Sequence, residues 1–405
     1  MSDKLKIKIK PLAFMDLLAF KNLIPKRKKM FENASVVCPE AKPVVNELAR
    51  RLHPIRQYMT IAEVIDETPD VKSFKLKADI ARQTSELAVF RAGQYLSVKL
   101  NVEDEHITRP YSIASSPKEA QEGYYRLTIK RAAFATDYLW GNWKIGAQIE
   151  TSGPEGQFYY TRLRDMPHIV GIAGGSGITP FLSMMSDFED KGWLVNFTLF
   201  YGCNCAGDIV CRKQIDQIAE NSKGKLKVVY IMAKEEPEEN MEKGFITAEL
   251  IKKYVQPELC SFFICGPQAM YTFINKELAQ FSLPLKQLRY EVFGEAKNVA
   301  AMEDYPQNVP DSFTIKAVYR EETKKIPAFS RESVLVAMER AGFAPPSKCR
   351  SGQCAFCRTR LISGDVYVPS SSDDRRNADK KFGIIHACSS YPLSDLVIEV
   401  PHDEV

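Results

Sequence analysis

The spacing of apolar and polar residues changes several times along the chain, and each change predicts a different kind of element. Near the start, Leu5, Ile7 and Ile9 alternate with Lys4, Lys6, Lys8 and Lys10, a short strand pattern with one charged face. Phe14, Leu17, Leu18 and Phe20 then fall near helical spacing, and Val45-Asn-Glu-Leu-Ala-Arg-Arg-Leu52 reads as an amphipathic helix. From Tyr58 to about Arg162 the period becomes two. Thr60-Ile-Ala-Glu-Val-Ile, Val71-Lys-Ser-Phe-Lys-Leu, Gln94-Tyr-Leu-Ser-Val-Lys-Leu and Tyr125-Arg-Leu-Thr-Ile-Lys predict the short strands of an antiparallel β-barrel.

At His168 the strands become continuous apolar runs: Ile169-Val-Gly-Ile-Ala, Val195-Asn-Phe-Thr-Leu-Phe-Tyr, Val228-Val-Tyr-Ile-Met and Phe262-Phe-Ile-Cys. Strands buried on both faces have this composition, and helical stretches over 208–219, 247–254 and 268–281 separate them, so a parallel α/β sheet is expected. A polar, proline-bearing linker follows over 297–311. Beyond it, Phe313-Thr-Ile-Lys-Ala-Val and residues 324–328 predict a hairpin. Ser330 is placed to cap a helix carrying Val334, Leu335 and Met338 on one face, with Gly342 ending it. Leu396-Val-Ile-Glu-Val supplies a last strand, giving a small α+β domain of β-grasp type. The expected divisions are a basic, mostly helical extension (1–53), a barrel (54–162), an α/β domain (163–296), the linker, and the α+β domain (312–405).

Composition narrows the class. At 405 residues, with 26% charged and 45% hydrophobic residues, the chain reads as an ordinary multidomain soluble protein. A net charge of +4 is too weak to argue for nucleic acid. Ten cysteines are few for a disulfide scaffold of this length, so a reducing cytoplasm is expected. No apolar run approaches the roughly 18–20 residues of a spanning helix. Asp16 interrupts the apolar stretch after Pro11, and no small-residue cleavage site precedes Lys26-Arg-Lys-Lys29, so export is not expected. The basic arm suits either a membrane-surface or partner-docking segment or an extra structural layer, and base rates favour the layer.

The sharpest chemistry lies in Cys349-Arg-Ser-Gly-Gln-Cys354-Ala-Phe-Cys357, with Cys388 following in His386-Ala-Cys-Ser. C-x4-C-x2-C plus a distant fourth cysteine is the plant-type [2Fe–2S] ligand pattern. Structural zinc also takes four cysteines, usually as two short pairs, and fits this spacing poorly. Gly352 lies where the backbone must turn closely round inorganic sulfide. Arg350 could set positive charge beside an anionic cluster.

Cys349 to Cys357 with Gly364-Asp-Val resembles the plant-type ferredoxin domain. Arg109-Pro-Tyr-Ser112, Gly174-Gly-Ser-Gly-Ile-Thr-Pro180 and Cys265-Gly-Pro-Gln-Ala-Met270 resemble the flavin and nicotinamide motifs of the ferredoxin–NADP reductase superfamily. The domain order is similar to reductase components of multicomponent oxygenases, such as the phenylacetyl-CoA oxygenase type. The resemblance covers roughly residues 55–405.

It implies FAD, a nicotinamide dinucleotide and a [2Fe–2S] cluster held by Cys349, Cys354, Cys357 and Cys388. In the flavin site it implies that Arg109 meets the pyrophosphate, Tyr111 stacks on the ring and Ser112 reaches N5, with Pro110 part of the same motif. Lys130 and Thr136 belong to the second flavin segment, where Ala133 stands in place of the usual glycine. Gly174, Gly175, Ser176, Gly177, Thr179 and Pro180 would receive the dinucleotide, and glycines let backbone approach a pyrophosphate at a helix N-terminus. Cys265, Gly266, Pro267 and Met270 would stand beside the nicotinamide, with Tyr111, Ser112 and Cys265 at the hydride-transfer centre. Phe293 would lie against the flavin. Read bare, each of these motifs also suits an ordinary strand, turn or buried thiol; together they support one another.

The stretch Met232-Ala-Lys-Glu-Glu-Pro-Glu-Glu239 would repel a 2′-phosphate, which favours NADH, although Lys234 leaves NADPH open. The function implied is electron transfer from NADH through FAD and the cluster to a partner protein. An NAD(P)H oxidase or flavin reductase, and a non-catalytic redox sensor, are the alternatives. The acceptor itself is not named by the sequence.

Overall fold

The computed structural model describes residues 14–34, 44–102, 105–319 and 322–400. The lysine-alternating strand expected at residues 4–10 lies outside the described residues. The chain forms two compact units, Met1–Ala49 and Arg50–Val405. Two helices stand in the N-terminal region: α1 (Phe14–Glu32) and α2 (Val44–Leu52). α2 is amphipathic as its sequence predicts, yet none of its side chains is buried, and Val44, Val45 and Leu48 are exposed. Among the described residues, no helix is long and apolar enough to cross a membrane.

The first sheet is antiparallel: β1 (Gln57–Thr68), β2 (Val71–Ala78), β3 (Tyr95–Val102), β4 (Glu105–Ser112), β5 (Tyr124–Lys130) and β6 (Gln148–Thr151). The order is β4-β3-β6-β1-β2-β5, and a bridge between Ile113 and Leu127 brings the two ends together into a barrel. Alternation places Met59, Ile61, Phe74, Leu76, Leu96 and Val98 inside. Two helices follow β4 and β5, α3 (Pro117–Gln121) and α4 (Phe134–Asn142). Beside α4, Trp143 meets Phe74 edge-on at 5.0 Å and plugs the barrel.

The second sheet is parallel throughout: β7 (His168–Gly174), β8 (Asn196–Cys203), β9 (Leu226–Met232), β10 (Glu242–Lys243), β11 (Cys260–Cys265) and β12 (Leu288–Glu291), in the order β10-β9-β8-β7-β11-β12. Helices α5 (Thr179–Asp190), α6 (Arg212–Asn221), α7 (Ala248–Tyr254) and α8 (Gln268–Ala279) cover its faces, and a separate apolar core fills each side. The strand order reverses at β7, the place where open α/β sheets leave a crevice at the strand ends. The helix expected over 208–219 begins only at Arg212. Cys211 adopts left-handed φ of 55°, and a separate turn occupies Ala206–Asp208.

The third sheet is mixed: β13 (Ser312–Tyr319), β14 (Glu322–Phe329), β15 (Arg358–Ser363), β17 (Ile384–His386) and β19 (Leu396–Glu399), in the order β14-β13-β19-β15-β17. A small ladder joins β16 (Val366–Tyr367) to β18 (Tyr391–Pro392), and α10 (Asn377–Lys381) precedes β17. Helix α9 (Val334–Arg340) buries Val334, Leu335 and Met338 against the sheet. Its cap is Ser333, whose hydroxyl accepts from the Val336 N–H at 3.2 Å, and not Ser330. Ser330 instead donates its backbone N–H to the Asp311 carbonyl at the turn before the helix.

The polar linker also departs from expectation. Val299 is 1% exposed and packs with Tyr367 and Tyr391, and Tyr367 donates to Asp304 at 2.5 Å. Few apolar residues lie in this stretch, but Val299, Met302 and Tyr305 pack on the β16–β18 ladder, so it is not a loose tether.

Candidate functional site

The cluster loop lies between α9 and β15 and is built to turn its backbone inward. Arg350, Gly352 and Ala355 all have positive φ, at 59°, 82° and 59°. At Gly352 an added Cβ would stand 2.5 Å from the Ser372 carbonyl oxygen, so glycine is required there twice over. The turn aims amides at sulfur. Ser351 and Cys354 donate to Cys349 Sγ at 3.4 Å, and Gly352 donates to Cys388 Sγ at 3.2 Å. Cys357 and Cys388 sulfurs are 3.3 Å apart. Hydrogen bonds from the Cys354 and Cys388 thiols hold Cys349 below the ordinary thiol range.

Among the described residues, no three His, Cys, Asp or Glu side chains enclose a place for a single metal ion. Four neighbouring thiols, with amides directed at the Cys349 and Cys388 sulfurs, fit a two-iron cluster, which four cysteine thiolates would hold and whose potential such hydrogen bonds would tune. His386, which the sequence offers only as a neighbour of Cys388, is buried with Nδ1 2.6 Å from the Gly352 carbonyl oxygen, holding the turn.

Arg350 does not serve as a free positive charge beside the thiols. It is fully buried, and its guanidinium meets both Glu339 oxygens at 2.5 and 2.8 Å, Glu295, and the Thr108 carbonyl at 3.2 Å. Two carboxylates therefore offset its charge.

Strand β4 carries the Arg109-Pro-Tyr-Ser stretch to the barrel's edge. Pro110 is buried, while Arg109 and Tyr111 stay partly exposed. Burial, then the nearby Arg350, pushes Arg109 below its ordinary range. Burial pushes the Tyr111 hydroxyl up to about 12. Ser112 donates to Glu291 Oε2 at 2.8 Å. Glu291 ends β12 in register with Cys265 of β11, so Ser112, Cys265 and Glu291 come together from three distant points of the chain. Burial raises the Glu291 carboxyl to about 8 and the Cys265 thiol well above its usual value.

Glu291 was not singled out from sequence. The one signal available was a carboxylate closing an otherwise half-apolar strand just before Phe293. Phe293 itself sits edge-on to Tyr95, with centroids 5.0 Å apart.

In the second flavin segment, Lys130 pairs with Asp70 at 2.9 Å. Thr136 Oγ1 accepts from the Ala132 and Ala133 N–H groups at 2.8 and 2.9 Å and donates to the Ala133 carbonyl at 2.6 Å. The hydroxyl thus ties the loop that opens α4 by engaging both of these amides.

The glycine-rich turn after β7 divides its glycines between two tasks. Gly177 lets the turn lie on the backbone of Cys265 and Gly266, since a Cβ there would fall on the Cys265 carbonyl oxygen. Gly174 and Gly266 similarly pack against Met270 and Pro267. Only Gly175, with φ of 52° and open space around it, remains free for close approach by a ligand. Thr179 Oγ1 donates to the Ser176 carbonyl at 3.1 Å, and Pro180 lies in the first turn of α5.

The acidic stretch after β9 is less repulsive than its sequence suggests. Glu235 accepts from the Ala206 N–H at 2.8 Å, Glu236 pairs with Lys243, and Glu238 holds both Arg212 Nη atoms at 3.0 and 2.6 Å.

Comparison with known proteins follows the same three-part division. The oxidoreductase FAD-binding domain family matches residues 58–160, the oxidoreductase NAD-binding domain family residues 172–276, and the 2Fe-2S iron-sulfur cluster binding domain family residues 319–393. The ferredoxin reductase component of 3-ketosteroid-9-alpha-monooxygenase from Mycobacterium tuberculosis is 27% identical over 358 residues, covering 85% of this chain and 96% of that protein. A component of 1,2-phenylacetyl-CoA epoxidase from Escherichia coli is 25% identical over 349 residues, covering 84% of this chain and 96% of that protein. The solved structure of phthalate dioxygenase reductase superposes with a TM-score of 0.61 at 23% identity, covering 85% of this chain and 98% of that one, and shares the fold.

Proposed function

We infer that this chain, which belongs to the flavoprotein reductases of the ferredoxin–NADP reductase superfamily carrying a C-terminal [2Fe–2S] domain, moves electrons from NADH to a partner protein. The observation that carries this reading is a join between the two redox sites. The Gly294 N–H, directly after Phe293, donates to the Cys349 carbonyl at 3.3 Å. Bound FAD would accept hydride from the nicotinamide and pass single electrons to the cluster.

The chain's own residues would do the rest. Tyr111 and Phe293 offer aromatic surfaces for the ring, and Arg109 with the Thr136 loop offers positive potential for the phosphates. Ser112 places a hydroxyl at the reacting edge. Glu291, held protonated near neutrality, can keep a proton in hydrogen-bond reach of Ser112 Oγ. Cys265 closes the nicotinamide side, and Gly175 offers the dinucleotide a close approach. Cys349, Cys354, Cys357 and Cys388 would hold the irons. Cys354 is exposed beside Phe356, which lines a groove of about 970 Å³ between the barrel wall and the cluster loop, and this is the exit we assign to the electrons.

Relatives named as monooxygenase reductase components make an oxygenase the first acceptor class to test. NADH is the donor proposed, with the acidic stretch after β9 as its basis. Placement in a reducing cytoplasm rests on cysteine usage, and the functional divisions proposed are those at 54–162, 163–296 and 312–405.

Anaerobic titration with NADH tests the reading. Flavin and cluster absorbance should bleach together, with a reduced-cluster electron paramagnetic resonance signal. Flavin reduction that never reaches the cluster would leave a flavin reductase instead.

A further inference from the structure

We propose that Glu295 is a positioning residue: through Arg350 it fixes the cluster loop against the flavin-binding strand, and so sets the rate of the internal electron step. The proposal rests on the reductase reading above. Arg350, next to the ligand Cys349, has no exposed side-chain surface. Its guanidinium touches three parts of the chain: Glu339 on α9, the Thr108 carbonyl on β4, and Glu295 in the segment leaving Phe293. Thr108 precedes Arg109, so one buried cation spans from the flavin strand to the cluster loop.

An apolar plug could hold the same surfaces together without the cost of burying charge, and buried ion pairs contribute little net stability. What a guanidinium adds is direction. Its planar fork fixes the angle and distance of Glu339 through two hydrogen bonds, and Glu295 meets the same guanidinium as an ion pair. Glu339 anchors the fork within the cluster domain, because it and Arg350 belong to the same sheet-and-helix unit. Glu295 and Thr108 are therefore the groups that convert this anchor into placement relative to the flavin strand. The step concerned is one electron leaving reduced flavin and entering the oxidised cluster, so the flavin loses and the cluster gains one electron, without transfer of any heavy atom.

The test uses the full-length holoprotein carrying Glu295→Gln. It should keep its cluster absorbance and its rate of flavin reduction by NADH. Cluster reduction, followed by stopped flow, should slow several-fold, because electron tunnelling falls off exponentially with distance. The 297–311 segment should become more open to limited proteolysis, a readout independent of turnover. Arg350→Lys, which keeps the charge and loses the fork, should reproduce the slow step.

Native cluster reduction together with native proteolysis in Glu295→Gln would overturn the proposal. Loss of the cluster in Glu295→Gln would overturn it too, since Glu295 would then hold the loop's fold rather than its placement. If NADH fails to reduce flavin even in the unmodified protein, the reductase reading falls, while the proteolysis comparison still decides the role of Glu295 in docking.

Discussion

The cluster loop and the proposed hydride-transfer centre would solve the same problem, holding a redox group, by opposite means. The loop gathers its machinery within a few residues. Cys349, Cys354 and Cys357 supply thiols, the amides of Ser351, Gly352 and Cys354 point at sulfur, and positive φ at Arg350 and Gly352 turns the backbone inward. Cys388 comes from elsewhere, as does His386, which holds the turn at Gly352. The hydride-transfer centre is assembled across the fold: Ser112 ends a barrel strand, Cys265 ends a strand of the parallel sheet, and Glu291 ends its neighbour. A local site can be read from spacing, whereas a dispersed one depends on sheet register.

The largest expected effect breaks the local site alone. Cys388→Ser should remove the cluster's visible absorption and its two irons (about two per chain), while flavin content and NADH-driven flavin reduction remain. Loss of both cofactors together would mean that the two sites are not separable.

Glu291→Gln probes the dispersed site through pH. Burial raises this carboxyl from 4.5 to about 8 in the folded protein. Between those values the native state binds more protons than the unfolded chain, so stability falls as pH rises through the window, by at most about 1.4 kcal/mol per pH unit. The variant should show a flatter dependence of Tm on pH, and an unchanged slope would place the titration elsewhere.

Gly177→Ala tests the contact between the nicotinamide turn and the Cys265 backbone. The added methyl should cost about 1–3 kcal/mol in thermal or denaturant unfolding and lower kcat/KM for NADH. Gly175→Ala, with open space but φ of 52°, should impair dinucleotide binding more than stability.

The smallest effect concerns donor choice. Glu238→Gln should release Arg212, raising kcat/KM for NADPH relative to NADH by about two- to fivefold, the size of an exposed ion pair. NADPH preferred by the unmodified protein would show that the acidic stretch does not govern the choice.

Some features were available from the sequence because their cause is local. Period-two alternation specified the barrel strands, apolar runs the parallel sheet, and C-x4-C-x2-C the cluster loop, since each follows from neighbours along the chain. Helix and turn boundaries were less secure where a single residue's conformation decided them. Cys211 at φ of 55° delays α6, and Ser333 rather than Ser330 caps α9.

What only the tertiary structure decided is how residues far apart in sequence share their charges. The Arg350 side chain could have faced the cluster, yet it lies between Glu295 and Glu339, because a buried guanidinium must find carboxylates to offset its desolvation. Glu236 and Glu238 carry the same formal charge in sequence and in space, but Lys243 and Arg212 fold back to meet them. Glu291 acquires its raised pKa only when the fold buries the end of β12 beside β11, and the Ser112 hydroxyl that the barrel brings to its oxygen opposes that rise. Burial and electrostatic pairing depend on distances through space, and no spacing along the chain encodes them.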